Sequence, residues 1–405
     1  MSKKNIAIVF PSRKNGGVFQ LTLSIAENLI RYYHSQYNYY LIHYKNENIE
    51  DALEIDKGSA IFISIPQACS SRIRKILHFI NLAIFKNSRI IDNATLVLRD
   101  AKIDLVIYPT PFTYDFLRDL PFIAYIPNMM HKYYPDFSEF PLQTRIARDI
   151  VYKYYAQKAI LYASDSTQGI EDIHKFLGIP LDKGRVIPFI PAGYIYRHKD
   201  IDRKEIEILL AKYNLPEKFI FYPAQFWYHK NHLRLIRALR IIKDKYHEAV
   251  NLVLVGGDTR RYEKIAQEIF AEAEKAQIKQ QIIHLGYVSD TEMVALYKKS
   301  LALVNPSLLG PTGIPFVEAI VLGVPIIGPN IWEVPRVVDK AGVLFDPFNS
   351  RDMAEKIYSV WQDSRLRAHL KKEAQLLAKG LTPENYAKQW QQVISQSLEI
   401  LAKGQ

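Results

Sequence analysis

Short, almost continuously apolar runs alternate with longer segments of helical periodicity along the whole chain. The runs are read as strands at 5–10, 39–43, 61–65, 105–108, 122–126, 160–163 and 186–188. They return at 219–223, 252–255, 282–285, 301–305, 325–328 and 343–345. A glycine turn and a helix from about residue 18 to 33 follow the first of them. Strands that are apolar on both faces, alternating with helices, imply parallel sheets covered on both sides. Ser289 with Glu292 forms a capping box that predicts a helix over 290–299. Thr382 followed by Pro383 predicts an N-cap with proline at the first helical position.

The stretch from Pro191 to Pro216 breaks this rhythm: it has no obvious strand, mixes charges and precedes a fresh strand. The pattern therefore divides the chain into a domain over 1–195, a linker over 196–216, a domain over 217–380 and a C-terminal helical segment over 381–405. That last segment is expected to pack back on the first domain. The fold class is α/β, with two Rossmann-like domains facing a central cleft. In open sheets of this kind ligands bind beyond the carboxyl ends of the strands, so chemistry is expected just after strands.

Composition narrows the function classes. The 405 residues are 48% hydrophobic and 23% charged, which is ordinary for a globular protein. No run approaches the roughly 18 apolar residues of a spanning helix, and the apolar segment at 6–10 is shorter than the about 7–15 residues of a secretory core. The single cysteine, Cys69, excludes an intrachain disulfide and a cysteine zinc cluster. The location expected from this is cytoplasmic. The net charge of +11 is spread evenly, +5 (23 − 18) over 1–190 and +6 (30 − 24) over 191–405. A diffuse excess with no basic arm argues against nucleic-acid binding and suits anionic small molecules or an anionic membrane surface.

Several motifs sit where a ligand would. Asn15-Gly16-Gly17 joins the first strand to the first helix, as a plain βα turn or as a ligand loop. In 219–232 a strand runs into Lys230 at the entry to a helix, where an ammonium and free helix N–H groups together suit a diphosphate. The plain alternative is an exposed loop lysine. Gly256 and Tyr287-Val288 follow further strands. In 305–319 a strand enters a loop containing Gly310, Pro311, Thr312 and Gly313, and a helix then carries Glu318 in what is read as its first turn. The loop N–H groups would form an anion nest, and the carboxylate would either complement the helix dipole or accept from a ribose diol. His229 and His232 lack a nearby carboxylate and are not read as a zinc site. Asp200-Ile-Asp202 follows no strand and is read as solvated charge, so no metal site is assigned. No phosphate loop, HExxH or GxSxG occurs.

In this order the second-half motifs resemble the retaining glycosyltransferases of family 4, the group 1 glycosyltransferases, which have the GT-B fold. The resemblance covers most of the chain and is strongest over 219–346. It implies that Lys230 neutralises the donor diphosphate, that Glu318 holds the nucleotide ribose, and that Tyr287 and Val288 pack against the base. Gly323 and Pro325 match the family's Gly-x-Pro. Two positions depart from it. Gln225 stands where the family has a diphosphate arginine, and Gly310 where it has the first glutamate of E-x7-E. Backbone groups of Pro311, Thr312 and Gly313 would take over part of that contact. In the first half, 125–135 resembles a His-Asp-x-x-His-x-x-x-Pro segment in which Pro127 and Asn128 replace the first histidine and the aspartate while His131 survives. Ser164-Asp165-Ser166 resembles the segment before the last helix of the acceptor domain.

The resemblance implies transfer of a hexosyl group from a nucleotide-diphosphate sugar, with a UDP-hexose favoured, to a saccharide or lipid-linked saccharide, with retention and without a cofactor. Lys230, His131 and Glu318 are the expected catalytic residues. The expected donor contacts are Gly16, Gly17, Gln225, Lys230, Gly256, Tyr287, Val288, Gly310, Pro311, Thr312, Gly313 and Glu318. Asn128 and His131 are expected on the acceptor side. A non-catalytic partner subunit and a sugar-nucleotide epimerase are the alternatives. The stretch 72–90 carries Arg72, Arg74, Lys75, Lys86 and Arg89 around an apolar middle and has no acidic residue. It reads either as a core helix or as a surface that rests on anionic lipid, which would make the protein peripheral at the inner face of a membrane.

Overall fold

Two parallel sheets account for the alternating pattern. The first holds β1 (Lys4–Val9), β2 (Tyr37–Tyr44), β3 (Ala60–Ile65), β4 (Leu105–Tyr108), β5 (Phe122–Tyr125), β6 (Leu161–Ser164) and β7 (Gly184–Val186). Their order is β3-β2-β1-β4-β5-β6-β7, with Ile6 opposite both Tyr39 and Leu105. The second holds β8 (Ile220–Pro223), β9 (Leu252–Val255), β10 (Ile282–His284), β11 (Leu303–Val304), β12 (Ile326–Pro329) and β13 (Gly342–Phe345), ordered β10-β9-β8-β11-β12-β13. These facts come from a computed structural model, which describes residues 3–11, 17–45, 49–65, 93–110, 120–137, 140–256, 263–310 and 312–404. Cys69, the stretch 72–90, Gly16 and Pro311 lie outside the described residues.

The second sheet shows why its strands are apolar at every position. Ile220 and Tyr222 of β8, with Leu252 and Leu254 of β9, face a core built with Leu235, Leu239 and Ile242 of the helix His232–Tyr246. Their neighbours Phe221, Val253 and Val255 face the other side, against Val294, Leu296 and Ile320 from the helices Asp290–Lys299 and Ile314–Leu322. Side chains alternate across a strand, so a sheet covered on both faces needs an apolar residue at each position. The Ser289–Glu292 capping box is present, with both the side chain and the backbone of Ser289 bonded to Glu292.

The chain divides into two compact units, 1–188 with 383–405, and 189–382. The helix Pro383–Lys403 belongs to the first. Its Trp390 is fully buried with the ring 6.2 Å from that of Tyr125, and Ser395 bonds the Tyr37 hydroxyl at 3.0 Å. The segment 196–216, read above as a linker, is largely helical and lies inside the second unit. Asp202 caps the helix Arg203–Leu210 by accepting from the Glu205 amide at 2.8 Å, and Ile206 and Leu210 enter the core beside Val294. A helix of only two turns between strands gives little periodic signal, which is why it reads as a break. Among the described residues no helix is long and apolar enough to cross a membrane.

Candidate active site

The order of the second sheet locates its ligand site. From β8 the chain moves outward to β9 and β10 on one side, then returns to β11 on the other. The loops leaving the carboxyl ends of β8 and β11 therefore part at a topological switch point, where open α/β sheets bind ligands. These two loops carry Lys230 and the 305–313 segment.

They are tied to each other by backbone. The Leu308 amide donates to the His229 carbonyl at 2.8 Å, and the Ser307 hydroxyl, which donates to Leu309 O at 2.9 Å, lies 3.4 Å from the same His229 oxygen. Asn231 is buried with φ +60° and donates from its amide group to Pro306 O at 3.1 Å and Pro347 O at 2.8 Å. Asn tolerates this left-handed backbone better than most residues. Trp332 bonds Leu308 O at 3.1 Å from the far side. Gly256, just after β9, is held against the first loop. A Cβ there would lie 2.2 Å from the Ala224 carbonyl oxygen, so only glycine fits. His284 donates to the Gly256 carbonyl at 2.9 Å.

Lys230 ends the turn Tyr228–Lys230. Its carbonyl accepts from the buried Tyr222 hydroxyl at 2.9 Å, which fixes the backbone. No described carboxylate acts on its ammonium, and burial pushes that group down to about 8. A desolvated cation without a counter-charge is costly in the empty protein and is relieved by an anion. His232, at the start of the next helix, is buried against Tyr222 and Phe226 with ring centroids 4.8 and 5.1 Å away. Burial pushes its imidazole down to about 3, helped by the charge of Lys230, so it is neutral at working pH.

Glu318 sits in the second turn of the helix Ile314–Leu322, not the first, because that helix already begins at Ile314, a full turn before it. It therefore does not serve as an end-of-helix charge. Its carboxylate is buried and accepts from the Tyr297 hydroxyl at 2.7 Å on Oε2 and from the Tyr194 hydroxyl at 3.3 Å on Oε1. Burial pushes the carboxyl up to about 7 and Asp290 adds to this, while the two tyrosine bonds pull it down. Neither tyrosine was expected at the site: Tyr194 falls at the end of the domain read over 1–195, and Tyr297 falls within the helix expected over 290–299.

The other expected donor residues fall on the same edge or close to it. Thr312 is buried, Tyr287 is 72% exposed and Val288 is half-buried. Gly323 ends the Glu318 helix and Pro325 leads into β12, so these two lie at the opposite, amino-end edge of the sheet. Gly310 has φ +104°, a conformation that L side chains rarely adopt. Gln225 is exposed, and its side-chain oxygen accepts from Trp227 at 2.9 Å, so it braces the loop.

In the first unit, Gly17 opens the helix Gly17–Tyr33. Asn128 accepts from the Met130 amide at 3.2 Å. The His131 side chain is fully buried, bonded through Nε2 to Asp149 at 2.8 Å and edge-on to Tyr152 and Phe140. Burial lowers its pKa and the Asp149 bond opposes this. His131 thus stands in the core of its unit rather than at an exposed position able to meet a sugar. Ser166 caps the helix Thr167–Leu177 through a 3.0 Å bond from the Gly169 amide.

Comparison with known proteins places this arrangement. Residues 205–377, all within the second unit, match the family model "Glycosyl transferases group 1". The serotype-specific mannosyltransferase WbdA of Escherichia coli is 27% identical over 176 residues, 43% of this chain and 21% of that protein. The O-antigen chain mannosyltransferase RfbU of Salmonella typhimurium is 29% identical over 136 residues, 34% of this chain and 36% of that protein. The chain spans only about a fifth to a quarter of the length of WbdA. The fold is shared with solved structures. One is a glycosyltransferase of Rickettsia africae (TM-score 0.72, 17% identity, 99% of both chains). Another is HepE of Anabaena, solved with UDP and glucose (TM-score 0.73, 16% identity, 97% of this chain and 100% of that chain). With the matched model seated on the switch-point loops, the second unit belongs to the group 1 glycosyl transferases, and the chain has the GT-B fold of these structures.

Proposed function

We propose that the protein transfers a hexosyl group from a nucleotide-diphosphate sugar to a saccharide or lipid-linked saccharide, with retention, in polysaccharide assembly. The observation that carries this is the half-buried, desolvated ammonium of Lys230 at the switch point, which no described carboxylate compensates, tied through His229 to the loop that leads to Glu318. A diphosphate supplies the missing negative charge. A nucleoside on the same anion brings two ribose hydroxyls that a buried carboxylate can accept. The 312–313 amides and Gly256 are assigned to the phosphates and sugar, Tyr287 and Val288 to the base. The acceptor is assigned to the N-terminal unit, where Asn128 remains the candidate contact.

In the transfer, the bond from the sugar C1 to the diphosphate oxygen breaks and a bond from C1 to the acceptor oxygen forms. The acceptor proton passes to a phosphate oxygen on the same face, which preserves the anomeric configuration. The protein's part is to hold the donor and to stabilise the charge that grows on the leaving diphosphate, which is what a preorganised ammonium does best. Mannose is favoured as the transferred hexose because sequence relatives such as WbdA and RfbU are named mannosyltransferases. HepE, at 16% identity, supports UDP-glucose less strongly. A second reading, a non-catalytic subunit that kept the fold, is favoured by Gln225 and Gly310 standing where the family has charges.

The test is a thermal-shift panel of UDP, GDP and dTDP sugars on the protein and on Lys230→Ala. It is followed by NMR of the anomeric product formed from the sugar nucleotide that binds. Stabilisation by one sugar nucleotide, lost in the variant, supports the donor site. Binding without turnover on any saccharide supports the subunit reading. No binding at all overturns both.

A further inference from the structure

We propose that Tyr297 and Tyr194 are positioning residues for the Glu318 carboxylate with unequal tasks, Tyr297 as the permanent donor on Oε2 and Tyr194 as the donor that a ligand hydroxyl displaces from Oε1. The proposal rests on the reading that Glu318 receives the nucleotide ribose.

The geometry separates the two tyrosines. Tyr297 is fully buried, its ring packs edge-on to Phe221 at 5.0 Å, and it belongs to the ten-residue helix Asp290–Lys299 that the Ser289 capping box anchors. Its 2.7 Å bond to Oε2 has nowhere else to go. A tyrosine hydroxyl left without this acceptor would be a buried unsatisfied donor. Tyr194 lies on the six-residue helix Gly193–His198, is only half-buried, and bonds Oε1 at 3.3 Å, near the outer limit of a hydrogen bond. It can turn to solvent when a better donor arrives. Each carboxylate oxygen can accept more than once, but a buried one has room for few partners. The weakly held oxygen is therefore the one open to exchange.

The surroundings leave these two as the groups that set the carboxylate. Asp290, from the same helix as Tyr297, acts on it unfavourably. Arg336 of the helix Val334–Val338 is paired with Glu333. The helix Ser364–Ala378 meets the other end of the Glu318 helix through Gln375, which does not titrate. Removing either hydroxyl therefore makes the ionised carboxylate less favourable, but only removal of Tyr297 costs it its fixed orientation.

The experiment measures calorimetric affinity for UDP and GDP, and for their 2′,3′-dideoxy analogues, from pH 6 to 9. It uses the full chain and the variants Tyr297→Phe, Tyr194→Phe and Glu318→Gln. For the ribonucleotide that binds, Tyr297→Phe is expected to weaken affinity about tenfold and to move the midpoint of its pH profile upward. Its dideoxy analogue should be unaffected. Tyr194→Phe should also move the midpoint upward, yet hold or improve affinity within about threefold, because the ligand no longer competes with a resident hydroxyl. Equal losses in the two tyrosine variants overturn the unequal roles. Equal losses on ribo- and dideoxynucleotide in Tyr297→Phe, with an unmoved pH midpoint, reduce it to a packing residue. If Glu318→Gln binds both kinds of nucleotide like the unaltered chain, the ribose reading itself fails and takes this one with it. If Tyr297→Phe does not fold, Tyr194→Phe still decides, since a tenfold loss there contradicts an exchangeable donor.

Discussion

Replacing Glu318 by glutamine should make the protein more stable and a poorer nucleotide binder at the same pH. The carboxyl is pushed up to about 7 in the fold, against an ordinary value of 4.5. Between those two values the folded chain holds a proton that the unfolded chain has released, so stability falls as pH rises through this window. Above about 7 the full penalty is present, and a shift of this size corresponds to about 3 kcal/mol. Glutamine keeps the shape, can still accept from the Tyr297 hydroxyl, and never ionises. The variant should match the unaltered chain near pH 4.5 and exceed it by up to about 3 kcal/mol at pH 8, or on the order of 6–10 °C in Tm for a domain of this size. Urea unfolding at the two pH values, followed by circular dichroism, measures the difference. Nucleotide affinity at pH 8 should move the other way by about tenfold, because a neutral amide is a weaker acceptor for two ribose hydroxyls. A stability gap that is the same at both pH values would show that no carboxylate is being held in a hostile site, and the reasoning from burial would be wrong.

Lys230→Ala is expected to lower turnover by about 100-fold or more, the effect of removing one preorganised charge at a leaving group, while leaving the unfolding midpoint unchanged or higher. Radiolabel transfer and a melting curve check the two halves of that statement. The profile of kcat/KM should be a narrow bell, rising through about 7 as Glu318 ionises and falling through about 8 as Lys230 loses its proton. Gly256→Ala should destabilise the second unit by about 1–3 kcal/mol, since the new methyl meets a backbone oxygen that cannot give way. Asp202→Ala should cost about 1 kcal/mol as a lost helix cap and leave transfer, with or without EDTA, unchanged. An EDTA-sensitive activity rescued by Mn²⁺ would contradict that reading.

Strand positions were legible because burial on both faces writes a continuous apolar run; β8 to β11 fall within runs of that kind, and β12 and β13 overrun theirs by one residue. Legible too were the places where loops leave strands, and with them Lys230 and the 305–313 segment. What the sequence could not display is the contact that joins these two loops. The bond from Leu308 to His229 connects backbone groups 79 positions apart, and backbone groups leave no mark on residue identity. Glu318 was visible as a residue but not as an environment. Its placement depends on where the helix starts, one turn earlier than its own position, and on tyrosines from two other helices. His131 misled for a related reason. A histidine in a motif says nothing about its burial, and here Asp149, eighteen residues on, turns its ring into the core.

The two departures from the family pattern belong together. An arginine at 225 would add a positive charge near the diphosphate, and a glutamate at 310 a negative one near the sugar. Lacking both leaves the formal charge of the site as it would be with both, so on the proposed donor reading the attraction for an anion falls to Lys230 and the loop amides. The departures are also built into the backbone. Gly310 stands at φ +104°, and although a side chain there would meet nothing within 4 Å, the conformation itself would cost a non-glycine residue about 1–3 kcal/mol. Gln225 is engaged in bracing Trp227. Restoring either charged residue alone would therefore disturb the loop backbone and change the formal charge of the site by one. Gly310→Glu should accordingly lower stability without raising transfer, and an increase in transfer would show that the lost carboxylate was still needed.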